Sequence, residues 1–411
     1  MKILNFGSCN IDYVYSLDHI VRVGETEATY RRDVFAGGKG LNQSIAIARA
    51  GASVSHAGCI GDDGEMLRDI LFDSGVDVSY LRTVDAPNGH AIIQVSVNGE
   101  NSIFLYGGSN EMISSEFVDE VLSNFEKGDI IVLQNEINDV DYIVRKAHER
   151  GMTVVLNPSP FNEKIAKIDF TMISYLILNE VEAKEITGAE TPEESLVFFE
   201  RNYPSLKIML TLGEKGCVFM DSECQIWQPC FKVDVVDTTA AGDTFTGYFV
   251  SEVAKGTPYG DVLKIASAAS AIAVSRNGAA PSIPTFDEVI SKLDTLTPAE
   301  NNQKETELKN KIQGYIEADL SDASLSSLAE HLGYSASYTA AIVKKTFGKS
   351  FSKLLQDKRC AVAADKLLNT DMSVCEIINF VGYENESFFR RAFKEKYGKN
   401  PLDFRKRGKQ I

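Results

Sequence analysis

No stretch of this 411-residue chain approaches the roughly 20 uninterrupted apolar residues that a membrane-spanning helix needs, so no membrane partner is expected. The opening run, MKILNFGSCNIDYVY, has Asn5 and Asp12 where a signal peptide needs an apolar core. It reads instead as a first buried strand, and the expected location is cytoplasmic. Cysteine is sparse and unpatterned: the seven residues Cys9, Cys59, Cys217, Cys224, Cys230, Cys360 and Cys375 are odd in number and include no C-x-x-C. That excludes a disulfide framework and fits a reducing compartment. No histidine lies near Cys217, Cys224 and Cys230, so core thiols are expected there and not a zinc site. Positive charge is scarce in most of the chain. Residues 1–304 carry 24 Lys/Arg against 44 Asp/Glu, whereas residues 305–411 carry 18 against 14, and from Lys344 onward the count is 16 against 8. Only the tail has the charge to meet a polyanion.

The length implies two domains. Up to about residue 296, short apolar runs such as Ile130–Leu133, Thr153–Leu156 and Lys207–Thr211 alternate with helical stretches at Ser115–Asn124, Asp139–Arg150 and Glu193–Asn202. Apolar strands with no wet face, each followed by a helix, predict an α/β fold with a mostly parallel sheet covered on both sides. Glu27–Phe35 and Gly89–Leu105 alternate polar and apolar residues, and the second contains Asn98-Gly99, a hairpin turn pair. They predict a small antiparallel sheet serving as a lid. The polar, aperiodic residues 297–304 are read as a linker, and everything after them is helical in pattern.

Two segments carry chemistry. Ala36-Gly-Gly-Lys-Gly-Leu-Asn42 precedes a helical stretch; its glycines let a ligand approach the backbone, and Lys39 and Asn42 supply contacts suited to hydroxyls. A plain structural turn is the other reading. Asp237-Thr-Thr-Ala-Ala-Gly-Asp243 is expected to follow an apolar strand, Phe231–Val236, and to enter a helix. Ala240, Ala241 and Gly242 at that helix start would aim backbone N–H groups at developing phosphate charge, with Asp243 placed to accept a proton. The alternative is that Asp243 merely caps the helix.

Gly37-Gly-Lys-Gly-Leu-Asn-Gln43 and Asp237–Gly247 resemble the two signatures of the ribokinase branch of the PfkB carbohydrate kinases. The resemblance continues through Asn10-Ile-Asp12, Glu136, Asn179-Glu-Val-Glu182, Thr211–Gly216 and Arg276–Ser282, in order across residues 1–296. It implies a ribokinase-like sandwich with a small β-sheet lid. Asn10, Asp12, Gly38, Lys39, Gly40, Asn42 and Glu136 would hold the sugar, and Asp243 would deprotonate its primary hydroxyl. Asn179, Thr211, Gly213, Gly216, Gly242 and Ser267 would contact ATP, and Glu182 would position Mg²⁺ through water. It also implies K⁺ beneath the anion hole, at Asp237, Thr239, Ala273, Arg276, Gly278 and Ser282. Ribose is the expected substrate, with another pentose, a hexose or a nucleoside as alternatives. A homodimer is expected, formed by the lid or by the tail.

In the tail, Leu325–Ser335 and a helix at about Ala336–Phe347 form one helix-turn-helix pattern. A helix at about Ser350–Leu368 connects it to a second pattern, Val374–Lys394. Residues 305–411 resemble an AraC-type DNA-binding domain, most specifically through Ser387-Phe-Phe-Arg-Arg-Ala-Phe-Lys394 and Asn400–Arg405. Two units joined by a rigid helix can reach successive major grooves. Ser387, Arg390, Arg391 and Lys394 would contact double-stranded DNA, while Phe388, Phe389 and Phe393 are expected in the core. The first unit departs from the family where Thr339, Ala340 and Ala341 stand. An all-helical dimerisation domain is the alternative for the tail. For the whole chain, two functions are in view: an active kinase that regulates transcription, and an inactive sugar or nucleotide sensor that controls a DNA-binding module.

Overall fold

The computed structural model describes residues 1–299, 302–318, 320–370, 372–383 and 385–408. It divides into two units, Met1–Glu300 and Asn301–Ile411. In the first, the strands are β1 (Ile3–Phe6), β2 (Asn10–Leu17), β3 (Arg31–Gly37), β4 (Val54–Ile60), β5 (Asp77–Thr83), β6 (Gly89–Ser96), β7 (Asn101–Tyr106), β8 (Ile130–Gln134), β9 (Thr153–Asn157), β10 (Tyr175–Asn179), β11 (Lys207–Thr211), β12 (Cys217–Met220) and β13 (Gln225–Gln228).

Nine of them form one sheet in the order β13-β12-β11-β10-β9-β8-β1-β4-β5, and all neighbouring pairs from β11 to β5 are parallel. The edge pairs β11–β12 and β12–β13 are antiparallel. Alternation along the central strands supplies both faces. Ile130 and Val132 join the cluster packed against helices Lys39–Arg49, Ala241–Ala254 and Tyr259–Val274, while Ile131 and Leu133 join the cluster under helices Ser115–Leu122 and Val140–Glu149. Full burial of β8 and β1 is why neither strand has a solvent-facing side, and their single polar residues, Gln134 and Asn5, are buried as well.

The opening segment is two strands and not one. β1 ends at Phe6, and β2 joins the second sheet, ordered β3-β2-β6-β7. Gly7 marks the break, because a side chain there would run into Gln134 and Gly40. β2–β3 and β6–β7 are antiparallel as expected, but β2–β6 is parallel, so the lid sheet is mixed. Its hairpin closes at Asn98-Gly99, where Gly99 takes a left-handed φ of 81° and Ser96 and Glu100 are bonded across the turn.

One further expectation is corrected. Phe231–Val236 is not a strand: Phe231 makes one isolated bridge to Pro298, and Val235 and Val236 are exposed. The alternation of Lys232, Val233 and Asp234 buries too little to hold a full strand. The 297–304 segment is partly structured. Lys232 N–H donates to the Thr297 carbonyl, Ala299 N–H donates to Cys230, and a helix starts at Asn302; residues 300 and 301 lie outside the described residues.

The second unit holds helices Asn302–Ala318, Leu325–Leu332, Ala336–Phe347, Phe351–Asn369, Val374–Phe380, Glu386–Tyr397 and Pro401–Gly408. Ser324, Ser335, Ser350, Ser373 and Asn385 each cap the helix that follows with a side-chain oxygen. Among the described residues no helix is long and apolar enough to cross a membrane.

Candidate functional site

The first hollow lies between the lid sheet and the carboxyl ends of the central strands. Asn10, Asp12, Gly38, Lys39, Asn42, Glu136 and Asp243 all line it, and Phe35, Ala91, Ile93, Ile103 and Leu105 form its apolar lid side. Gly38 caps the Lys39–Arg49 helix with φ 92°, a conformation that glycine adopts without strain. Neighbouring Gly37 leaves room for the Asp12 carboxylate, which a methyl group there would overlap. Gly40 lines neither hollow; it packs on the Gly7–Ser8 backbone, where any side chain would collide, so it seats the helix and does not face a ligand.

Glu136 is fixed by two donors on Oε2, the Ser8 hydroxyl at 2.6 Å and the Lys39 N–H at 2.9 Å. Burial raises its pKa, against the opposing pull of Lys39. Asp12 is pushed up to about 7, first by burial and then by the charge of Glu136. Burial alone would lower the Lys39 pKa, but the carboxylates of Asp243, Glu136 and Glu182 more than offset it and hold the ammonium charged.

Asp243 sits in the first turn of the Ala241–Ala254 helix and is 7% exposed. Its Oδ2 accepts from Asn42 Nδ2 at 3.1 Å and its Oδ1 from Gln43 Nε2 at 2.9 Å. The helix cap is Ala240, left-handed at φ 58°, one of two such non-glycine residues among those described. Ala240 makes no side-chain cap bond and Asp243 is not the cap; the Ala241 N–H donates to the Thr238 carbonyl at 3.3 Å, and residues 240–243 line the second hollow.

That second hollow, of about 200 Å³, is lined by Asn179, Glu182, Thr211, Ala240, Ala241, Gly242 and Asp243, among others. The two hollows share Lys39, Ser159, Ala240 and Asp243. Asn179 caps helix Glu180–Thr187 in a reciprocal box: its Oδ1 accepts from Val181 and Glu182 N–H at 2.9 Å, and Glu182 Oε2 accepts from Asn179 N–H at 3.0 Å. Gly213 and Gly216 have φ of 54° and 101° in the loop between β11 and β12, and Gly216 passes too close to the Gln228 backbone for any side chain. Ser267 is not brought into either hollow; it is buried with its hydroxyl 3.6 Å from Cys217 Sγ.

The six residues expected around a monovalent cation fall on two strips bonded to each other. Asp237 Oδ1 accepts from Thr239 N–H and Oγ1, and its Oδ2 accepts from Gly278 N–H at 2.9 Å. Burial raises the Asp237 pKa, but these bonds outweigh it and the pKa lies below the ordinary value. The Arg276 N–H donates to the Ala273 carbonyl, and its guanidinium reaches the Ser282 carbonyl and pairs with Glu288. The Ser282 hydroxyl is committed to the Ala279 carbonyl at 2.7 Å.

Sequence reasoning missed Asn157 and Ser159, which line the hollows from the end of β9, and Asn110, which donates to Asn10 Oδ1 at 2.7 Å. The Asn157-Pro-Ser-Pro160 turn and the strand end before it are the signal that could have found the first two.

In the second unit, Ser387, Arg390, Arg391 and Lys394 share helix Glu386–Tyr397. Arg390 is paired with Glu386 one turn back, with Nε 2.7 Å from Oε1. Phe389 and Phe393 are fully buried as expected, but Phe388 is 46% exposed and carries the Arg391 guanidinium 5.2 Å from its ring centre. Helical period is the reason: Phe389 and Phe393 are four apart on one face, and Phe388 lies off it. In the first unit Thr339 is fully buried, with its hydroxyl bonded to the Ser335 carbonyl at 2.9 Å.

Residues 1–286 match the family model of the pfkB family carbohydrate kinases, and residues 328–407 match a helix-turn-helix domain. A ribokinase of Haemophilus influenzae is 34% identical over 300 residues, which is 70% of this chain and 97% of that protein. Ribokinase from Cryptococcus neoformans in complex with ADP superposes with a TM-score of 0.65 at 33% identity, covering 71% of this chain and 98% of that one. Arabidopsis thaliana ribokinase complexed with ribose and ATP gives 0.63 at 29% identity, over 71% and 98%. The chain belongs to the pfkB family of carbohydrate kinases, an ATP-dependent sugar kinase that also carries an AraC-type helix-turn-helix domain.

Proposed function

We propose that the first unit transfers the γ-phosphoryl group of ATP to the primary hydroxyl of D-ribose, and that the second binds DNA sequence-specifically to regulate transcription in the cytoplasm. One observation carries the kinase half: Asp243, Lys39 and Ala240 stand where the two hollows meet. The sugar would lie on the side of Asn10, Asp12, Asn42 and Glu136. These groups offer both donors and acceptors, as hydroxyls demand, and the buried Asn42 Oδ1 has no protein partner, so a ligand hydroxyl can satisfy it. ATP phosphates would lie on the side of Asn179, Thr211 and Gly242. Asp243 takes the proton of the attacking hydroxyl, the Ala240–Asp243 amides meet the charge that develops on the phosphoryl oxygens, and Lys39 stays protonated beside both.

The oxygen donors of Glu182 suit Mg²⁺ bound through water, and the ionised Asp237 with the carbonyls around it suits K⁺. Mg²⁺ would neutralise phosphate charge, and K⁺ would stiffen the loop under the anion hole. The apolar, exposed Phe35, Ile103 and Leu105 support a homodimer through the lid. In the second unit the reading rests on the exposed Ser387, Arg391 and Lys394.

A coupled assay of ADP release with ribose, MgATP and K⁺ tests the kinase half. Asp243→Ala is expected to lower kcat by about 10²–10⁴-fold, the range for a lost general base, while calorimetric ribose binding persists. Wild-type protein that binds ribose without turnover would leave the sensor reading standing in its place.

A further inference from the structure

We propose that Gln43, held in place by Gln134, is a positioning residue that aims the Asp243 carboxylate by donating a hydrogen bond to it. This rests on Asp243 being the general base. Gln43, Gln134 and Asn5 are completely buried, yet they form an unbroken run of hydrogen bonds behind the base. Gln43 Nε2 donates to Asp243 Oδ1 at 2.9 Å and to Asn157 Oδ1 at 3.3 Å, and its Oε1 accepts from Gln134 Nε2 at 2.8 Å. Gln134 Nε2 also donates to Asn5 Oδ1 at 2.8 Å, and Asn5 Nδ2 donates to the Gly40 carbonyl at 2.7 Å and to Ser44 Oγ at 2.8 Å.

The direction of this chain is forced. A carboxylate only accepts, so the Gln43 amide must present its N–H groups to Asp243 and its oxygen to Gln134. Gln134 stands at the end of β8 and Asn5 in β1, two adjacent parallel strands, so the base is referenced to the rigid centre of the sheet. The two amide dipoles line up toward the charge and reinforce each other. Asn42, the other donor to Asp243, lines the sugar hollow and is free to exchange its bond for one to substrate, but Gln43 lines neither hollow. Its role is therefore separable from sugar binding.

The charged groups that face Asp243 are Lys39 and Glu136, with Glu182 acting on Lys39 from the phosphate side. None of them is altered by substitution at 43 or 134. Gln43→Met is expected to lower kcat roughly 10- to 100-fold with ribose KM and calorimetric Kd changed less than about 3-fold, and to move the acid limb of the kcat profile to higher pH. Gln134→Met should act in the same direction, with a loss of roughly 3- to 10-fold, because the Gln43 amide is then free to turn. Gln134→Met removes the unpartnered Oε1 but leaves the buried Asn5 Oδ1 and Gln43 Oε1 without their shared donor, so some loss of Tm is expected and its kinetics are read at a temperature where the melt shows it folded. The double variant should be no more than about 2-fold worse than Gln43→Met alone, as for two residues acting through one contact.

Wild-type kcat and an unmoved acid limb in Gln43→Met, with Asp243→Asn inactive, would overturn this proposal and leave the base assignment intact. A fall in kcat that tracks a fall in Tm, with the limb unmoved, would also overturn it in favour of a purely structural role. Turnover in Asp243→Asn would remove the base assignment itself.

Discussion

Asp12 illustrates what the proposed sugar site costs the fold that carries it. Its carboxyl titrates near 7 because it is buried and faces Glu136, well above the value of about 4 it has in an unfolded chain. A raised carboxyl pKa means that the native state prefers the protonated form. The associated stability is fully present below about pH 4 and is lost as pH rises through about 7. Asp12→Asn mimics the neutral form at every pH. Its unfolding free energy is expected to match wild type near pH 4 and to exceed it above pH 7 by up to a few kcal/mol, on the scale of about 1.36 kcal/mol per pH unit, with a correspondingly higher Tm, while ribose affinity falls. Thermal melts at the two pH values check the sign; a Tm gain at pH 4 equal to that at pH 8 would mean that the charge is not responsible. The same scale shows what sequence could reveal. Lys39, Asn42 and Asp243 stand inside compact motifs that speak for themselves, whereas Ser159 lines both hollows and Asn110 supports Asn10 from turns distant in sequence, and only the folded sheet brings them there. The exclusion of Ser267 from both hollows was equally invisible, since it depends on how helix Tyr259–Val274 packs on Cys217.

Elements were legible wherever burial was uniform. β8, β9 and β11 read directly as apolar runs because both faces are covered, whereas helix Glu386–Tyr397 was placed by the resemblance of Ser387–Lys394 to a known domain, a reading that also put the exposed Phe388 in the core. Half-buried segments were less so. β2 was merged with β1 because only Gly7 and two small residues separate them, and Phe231–Val236 imitated a strand through four apolar residues that solvent in part reaches. Within Glu386–Tyr397 the two arginines are not equivalent. The Arg390 charge is offset by Glu386, which accepts from its Nε and one terminal nitrogen, while the exposed Arg391 lies over the exposed Phe388. Arg391→Ala is therefore expected to reduce the slope of log K against log salt by about 0.9, the value for one lost phosphate contact, and Arg390→Ala by less. Fluorescence anisotropy on duplex DNA across a KCl series measures both slopes; a larger change for Arg390→Ala would reverse the assignment.

At the scale of the whole molecule, the question is whether the two units stand alone. The apolar clusters of the first are drawn from residues between Ile3 and Leu296, and those of the second from residues between Leu308 and Phe404. Each set encloses its own helices or sheet, which is the physical requirement for independent folding. Every residue lining the two hollows lies between Asn10 and Ala279. Their charges differ as well: the first unit is strongly acidic and would be repelled by DNA, while the basic excess lies beyond Lys344. Phosphoryl transfer then needs nothing from the tail. A chain ending at Glu300 is expected to fold cooperatively and to keep ribose kcat and KM within about 2-fold of the full protein, since sites in separate cores couple weakly. Calorimetry and the ADP-release assay on the truncated chain measure this. Loss of turnover in a truncated chain that still melts cooperatively would mean that catalysis depends on the helix-turn-helix unit.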